Sequence, residues 1–227
     1  MTSYGSGPVI ATGMVLSSTP SSDYDRRVVI LTKERGKITA FAKGARRPGS
    51  RLLAGTDQFA FGSFKMFEGR SAYNLIEVSV TNYFEELRED FEGACLGMYF
   101  LEFADYYTRE NNDETEMLRL LYQSVRALCK KSLDNRLVRV IYEMKAMVVN
   151  GEFPGIPADR QLSRSAAYAV GFIERTPVEQ LYTFAVSDSV LEELRDLSAL
   201  YRSRIIDRKL KSTEMIEELG QIGRAHV

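Results

Sequence analysis

The side chains of this protein best suited to chemistry are cations, and the chemistry is electrostatic. In the run KERGKITAFAKGARRPGSR, Lys33 to Arg51, lysines and arginines face Glu34 as the one acid, in a chain of formal net charge −1. Lys and Arg that neutralise phosphates release condensed counterions, which gives affinity for a polyanion without reading its bases. Ile38 and Ala40 alternate with Lys37, Thr39 and Phe41, a period of two that predicts a strand with one buried face. Gly36 supplies the turn before it. From Lys43 to Arg51 the chain carries four cations, two glycines and a proline with almost nothing apolar, which predicts an exposed, flexible loop. A merely soluble hairpin tip has the same composition, so the run alone leaves both readings open.

Covalent chemistry finds little support. There is no GxxxxGK[ST], no GxGxxG after a strand, no GxSxG and no HExxH. The single histidine, His226, lies in QIGRAHV, and residues 220–227 read as a non-native tail. Without it, histidine acid–base chemistry and histidine metal ligation both disappear. Cys95 and Cys129 are the only cysteines and read as buried thiols, neither a disulfide framework nor a zinc set. The acidic pairs Glu89–Asp90 and Asp113–Glu114 read as solvated faces. The expectation is a protein with no catalytic residue, no metal and no cofactor. The absence of a long apolar run and of a leader predicts a soluble, cytoplasmic protein with no membrane partner.

The elements that must position the cations divide by period. Short β-branched or aromatic runs at Val9–Leu16, Arg27–Thr32, Lys37–Lys43, Gln58–Phe67 and Ser71–Val80 predict five strands, few and short enough for a small closed barrel. Ser17 to Asp25 has no apolar anchor and reads as mobile. Phe59, Phe61, Phe64 and Phe67 are core candidates that could also stack bases. From Tyr83 the period becomes helical, through Leu87–Leu101, Met117–Leu128 and Leu133–Val148. Glu85, Glu86, Glu89, Asp90 and Glu92 are expected in the first turns of the first helix, where they complement its dipole. After an irregular stretch from Asn150 to Pro157, Ser163, Thr176–Pro177, and Ser187 or Ser189 are candidate helix starts. The basic tail Arg202, Arg204, Arg208, Lys209 and Lys211 fits either dipole compensation or a second phosphate contact. Charge is segregated: residues 26–51 carry nine basic side chains and one acid, whereas residues 85–116 carry eleven acids and two arginines. Two faces with different partners follow. The fold class is α+β, a five-stranded barrel over residues 1–81 followed by an all-helical domain over 82–219.

VIATGMVL at Val9–Leu16, DRRVV at Asp25–Val29, LTKERGK at Leu31–Lys37 and AKGARRP at Ala42–Pro48, followed in order by LRED, YEMK and RKLKS, resemble the RecO family of bacterial recombination mediators. The resemblance runs from about Val9 to Leu219. It implies an OB-fold that binds single- and double-stranded DNA, a helical domain, annealing of complementary strands without bond making, and a nucleoid-associated role in the cytoplasm. It also implies work with RecR to place RecA on DNA coated by single-stranded-DNA-binding protein, whose acidic C-terminal tail the family recognises. Many members carry a four-cysteine zinc site after the third helix. Here Gly151–Ser165 contains no cysteine, so no zinc is expected, and packing by Phe153, Ile156 and Leu162 is the candidate substitute.

On this reading Arg27, Arg35, Lys37, Lys43, Arg46, Arg47 and Arg51 contact phosphates, with Phe41 or Tyr73 as the ring on which a base stacks. An acidic tail ending in an apolar residue needs a cationic rim around an apolar notch. Arg126, Lys130, Lys131, Arg136 and Arg139 are the candidates, and ordinary surface charge is the competing reading. A generic OB-fold RNA binder and a protein-interaction adaptor are the alternative functions.

Overall fold

The computed structural model describes residues 7–213, 215 and 216. His226 and the tail from residue 220 lie outside the described residues. Five strands close a barrel: β1 (Val9–Pro20), β2 (Arg26–Thr32), β3 (Gly36–Ala42), β4 (Phe61–Glu68) and β5 (Tyr73–Asn82). Their order around the barrel is β1-β2-β3-β5-β4, with β4 returning to β1. All neighbours are antiparallel except β3 and β5, which run parallel with Ala40 opposite Tyr73. This is the closed five-stranded barrel that the period-two runs predict, in the OB-fold strand order that the resemblance implies.

The alternation decides the inside. Ile38, Ala40 and Ala42 of β3 enter the barrel core with Val28 and Ile30 of β2 and with Phe64, Met66, Tyr73 and Leu75 of β4 and β5. Of the four phenylalanines near β4, Phe64 is fully buried and Phe67 is exposed, while Phe59 and Phe61 lie between. β1 is longer than its apolar run. Ser17, Ser18, Thr19 and Pro20 pair with Val29, Val28, Arg27 and Arg26, so the first four residues of the segment expected to be mobile are strand. Only Ser21–Asp25 remains as a turn, and it closes on itself through Ser21 N–H to the Asp25 carbonyl at 3.1 Å. The sequence argument failed because an antiparallel partner supplies the backbone bonds that local propensity does not.

Compactness groups the barrel with Ala104–Leu118, and groups Glu85–Phe103 with the chain from Arg119 onward. The five helices are α1 (Phe91–Tyr107), α2 (Thr115–Leu128), α3 (Asn135–Val149), α4 (Arg164–Arg175) and α5 (Asp188–Ile205), with a 3₁₀ turn at Glu85–Arg88. Several acids that read as solvated faces instead bond backbone. Asp90 accepts from the Gly93 N–H at 3.0 Å beside the start of α1, and Asp113 accepts from the Thr115 N–H at 3.1 Å. Glu114 is buried and accepts from the Arg109 N–H at 3.0 Å. Among the acids expected in the first turn of α1, only Glu92 lies there, because the 3₁₀ turn takes up Glu85 and Glu86.

In the helical unit α3 is buried nearly all round, from Leu137 to Met147, the signature of a central helix. Asp134, Ser163 and Ser187 cap α3, α4 and α5 by accepting the N–H of Arg136, Ala166 and Val190. Thr176, expected to open a helix, closes α4 instead, and Pro177 precedes a 3₁₀ turn at Val178–Gln180. The Lys145 ammonium donates to the carbonyls of Ile173, Glu174 and Thr176 at 3.1, 2.9 and 2.8 Å, satisfying the end of α4 from a neighbouring helix. The connection before α4 is held by Phe153, edge-on to Tyr201 at 5.3 Å, and by the Tyr201 hydroxyl donating to the Gly155 carbonyl at 2.9 Å. Ile156, expected to help, is exposed.

Candidate nucleic-acid interface

The cationic run is not one patch. The turn between β2 and β3 carries Lys33 and Arg35 at one end of the barrel, and the loop after β3 carries Lys43, Arg46, Arg47 and Arg51 at the other. Seven residues of strand separate them, about 20 Å of extended chain.

At the second end two loops meet. The Arg46 N–H donates to the Tyr24 carbonyl at 2.8 Å, and the Arg46 guanidinium donates to the Ser22 carbonyl at 3.3 Å. Arg47 lies over the Tyr24 ring at 5.4 Å, a cation–π arrangement. Consecutive residues of the turn and of β2 hold both ends of the arginine loop. The Asp25 carboxylate accepts from the Gly44 N–H at 2.7 Å, and Arg26 donates to the Leu53 carbonyl at 2.9 Å and to Asp57 at 2.7 Å. The Gly44 N–H is the main cause that holds the Asp25 carboxyl below the usual aspartate range, with Lys43 and Arg47 adding to it. Gly44 has φ +67°, a conformation that side chains resist. Successive turns follow, with Arg47 N–H to the Gly44 carbonyl, Ser50 N–H to Arg47 and Leu53 N–H to Ser50, and Ala45 is fully buried. The loop is exposed as expected, but it is tied down rather than free.

On the adjoining outer face of β2 and β3, exposed Arg27 stands opposite half-buried Phe41, and the Arg27 guanidinium donates to the Thr39 hydroxyl at 3.4 Å. Among the described residues no ion pair joins Arg27, Lys43, Arg46, Arg47 or Arg51 to a carboxylate. Arg26 is the exception in this region, and its pairing with Asp57 makes it a strut.

The first end is different. Lys37 donates to the Asp105 carbonyl at 2.6 Å and pairs with the Asp105 carboxylate at 3.0 Å. Backbone follows suit: Lys37 N–H to the Arg109 carbonyl and Asn111 N–H to the Arg35 carbonyl, both at 3.0 Å. Gly36 permits this approach, since a Cβ there would stand 2.3 Å from the Arg109 carbonyl oxygen. Arg35 is half-buried, bonded to Tyr73 in surroundings that include Glu68 and Glu110. Lys37 therefore leaves the phosphate-contact set, because its charge is matched inside the protein. Tyr73 leaves it too: the residue is 4% exposed and belongs to the barrel core.

Tyr24 is the residue that sequence reasoning passed over. It is half exposed and is the one aromatic of the Ser21–Asp25 turn. That isolation in an otherwise Ser/Asp segment was the available signal. With Phe41 it gives the cationic end two rings, the combination of basic groove and stacking surface that single-strand binders use.

Among the helical candidates, Arg126 is exposed on α2 and lies over Tyr122 at 5.8 Å, and Lys130 and Lys131 are exposed beyond its end. Arg136 is paired with Asp134 at 2.7 Å and Asp188 at 3.0 Å. Its hydrogen bond to Asp134 is the main cause that raises its affinity for the proton. Arg139 turns inward. It meets buried Glu143 at 2.8 Å, and Arg202 reaches the same carboxylate oxygen at 2.9 Å. Tyr99 and Ser198 donate to Glu143 at 2.8 and 2.6 Å. Burial would raise the Glu143 carboxyl, yet the two arginines outweigh it and hold the group below the usual glutamate range. Arg139 and Arg202 are thus ion-pair members, so Arg139 leaves the tail-binding set; Arg202 stands in the last turn of α5, where it complements the helix dipole, and its charge is matched by Glu143.

The two thiols are ordinary. Cys95 is buried and its thiol is pushed up by that burial; Cys129 is half-buried and pushed up to about 11 by burial, with Glu86 and Asp90 adding. No group of three or more His, Cys, Asp or Glu among the described residues could hold a metal ion. No helix among them is long and apolar enough to cross a membrane.

Comparison with known proteins agrees with this layout. The family model described as Recombination protein O N terminal matches residues 8–84, and that described as Recombination protein O C terminal matches residues 88–156. The chain is 25% identical to DNA repair protein RecO of Acetivibrio thermocellus over 92% of this chain and 96% of that protein. It is 34% identical to DNA repair protein RecO of Alkaliphilus metalliredigens over 63% of this chain and 58% of that one. For the Symbiobacterium thermophilum protein of the same name the identity is 30%, over 73% and 66%. With the two family models matched in order over residues 8–84 and 88–156 and the N-terminal part closed into a barrel, the chain belongs to the RecO family.

Proposed function

We propose that this RecO-family member, whose role lies in DNA repair and recombination, binds DNA at the Tyr24–Arg47 end of its barrel and anneals complementary strands. The observation that carries the reading is the exposure at this end of Arg27, Lys43, Arg46, Arg47 and Arg51, none paired with a carboxylate among the described residues, with Arg47 over exposed Tyr24 and Arg27 opposite half-buried Phe41. Five neutralised phosphates give a slope of log affinity against log salt of about −3.5 for single strands. Holding two strands together raises their effective concentration and screens their repulsion, so pairing accelerates with no covalent step. In this reading the protein works in the cytoplasm at the nucleoid, with RecR, to help load RecA onto strands coated by single-stranded-DNA-binding protein.

Recognition of that protein's acidic tail is supported by a cavity of about 130 Å³ in the helical unit, lined by apolar Leu133, Leu137, Ile141, Tyr182, Phe184 and Leu191. Exposed Lys130 and Lys131 precede its lining residue Ser132. An apolar terminal residue would enter the notch while the acids meet these lysines.

The test is annealing of two complementary oligonucleotides, with and without single-stranded-DNA-binding protein. Acceleration by the wild type, lost in Arg46→Glu/Arg47→Glu, is expected. No acceleration by the wild type would remove the reading, and binding of RNA without annealing would favour a generic OB-fold binder.

A further inference from the structure

Helix α4 carries a stripe that its own stability explains only at Arg175, a cation in the last turn. Arg164, Tyr168, Gly171 and Arg175 recur at steps of four, three and four residues, which places all four within about 60° of one another around the helix and spreads them over about 16 Å. Arg164 is the first helical residue, where the helix dipole favours an acid. Tyr168 is 73% exposed, more than any other large hydrophobic side chain among the described residues. Gly171 stands inside the helix, where glycine costs about 1 kcal/mol relative to alanine. Its lack of a side chain is used: a Cβ there would stand 2.8 Å from an Arg175 guanidinium nitrogen. The glycine lets that guanidinium lie back along the helix toward Tyr168.

We infer that this stripe is a second contact for a nucleic-acid strand, on the helical unit alone, in which Arg164 and Arg175 hold phosphates on either side of a base stacked on Tyr168. The inference rests on the proposal that the chain binds DNA. Charge complementarity names the occupant. Two guanidiniums flank an exposed ring, and among the described residues neither is joined to a carboxylate. The neighbouring acids face elsewhere: Glu174 lies about a quarter-turn round the helix, and Glu193 accepts from the Ser163 N–H at 2.6 Å. Arg160, just before the helix, is paired with Asp196 at 3.5 Å. An arginine–ring–arginine row is the combination that single-strand binders use without base reading.

The experiment measures binding of an oligothymidine of about 30 nucleotides across a salt titration, in the full chain. In the Arg46→Glu/Arg47→Glu background, which weakens the barrel end but leaves Arg27, Lys43 and Arg51, binding should remain. Adding Arg164→Gln/Arg175→Gln should make its slope shallower by about 1.4, and Tyr168→Ala should weaken it about 5-fold or more. All three positions are exposed, so the variants keep the fold, which circular dichroism checks. No residual binding in the barrel variant, or residual binding indifferent to the α4 changes, overturns the inference and leaves the barrel site standing. Loss of an acidic tail peptide from Arg164→Gln/Arg175→Gln with DNA binding intact would overturn it in favour of a protein dock. A wild type that binds no oligothymidine at any salt defeats the proposed function itself, a result distinct from the others.

Discussion

Arg47 lies over the ring of Tyr24, 5.4 Å from its centroid, although the two belong to different loops of the barrel. The contact puts an exposed ring and a cation into one surface, so the ring can take a base while its neighbours take phosphates. Tyr24→Ala should weaken single-strand binding by about 1–3 kcal/mol, the usual worth of a stacked base. Tyr24→Phe should retain most of it. Equal affinities for wild type and Tyr24→Ala in a fluorescence anisotropy titration would take Tyr24 out of the site.

The Asp25 carboxylate tethers the loop, and its folded pKa is depressed chiefly by the Gly44 N–H. A depressed carboxylate stabilises the loop above its unfolded value, near 3.9, and the contribution disappears as pH falls through the lower folded value. An NMR titration should therefore find Asp25 titrating below the ordinary aspartate range. Asp25→Asn should speed hydrogen exchange at Gly44 on the order of tenfold. Titration at or above the ordinary value, with exchange unchanged, would mean that the tether does no work.

Cations close in sequence should behave oppositely. Arg46→Ala removes a phosphate contact and should make the salt slope shallower by about 0.7. Lys37→Ala removes a cation already matched by Asp105 and should leave slope and affinity within about twofold of wild type. A Lys37→Ala slope as shallow as that of Arg46→Ala would show that both ends of the barrel grip DNA.

Glu143 supports the helical unit. Glu143→Ala leaves Arg139 and Arg202, both about a quarter exposed, without their buried partner, and should cost about 3–5 kcal/mol in urea unfolding. Because the Glu143 carboxyl is held below its usual value, its contribution is complete at neutral pH. It is lost only as pH falls through that lowered folded value, below the ordinary glutamate range near 4.3. A Glu143→Ala variant as stable as wild type would reduce the network to surface charge.

How far the sequence could be read follows from the range of each interaction. The alternation of Ile38 and Ala40 with Lys37, Thr39 and Phe41 is local, and the barrel wall came out as read. Ser163 and Ser187 as caps are local too. The division of the cationic run was hidden because neighbours in sequence at the two ends of a strand are distant in space. The fate of Lys37 depended on Asp105, sixty-eight residues away. Arg139 was misread despite a local clue, the i,i+4 spacing to Glu143 on a helix apolar nearly all round. The pairing of Ser17–Pro20 with β2 and the meeting of Tyr24 with Arg47 are tertiary facts that no window of composition reports.

The most direct measurement is the salt dependence of single-strand binding by wild type and Arg46→Glu/Arg47→Glu, between about 50 and 200 mM. The account predicts steep salt dependence in the wild type, and in the variant an affinity at least about tenfold weaker with a slope shallower by about 1.4. Affinity and slope that are the same in both proteins would contradict it.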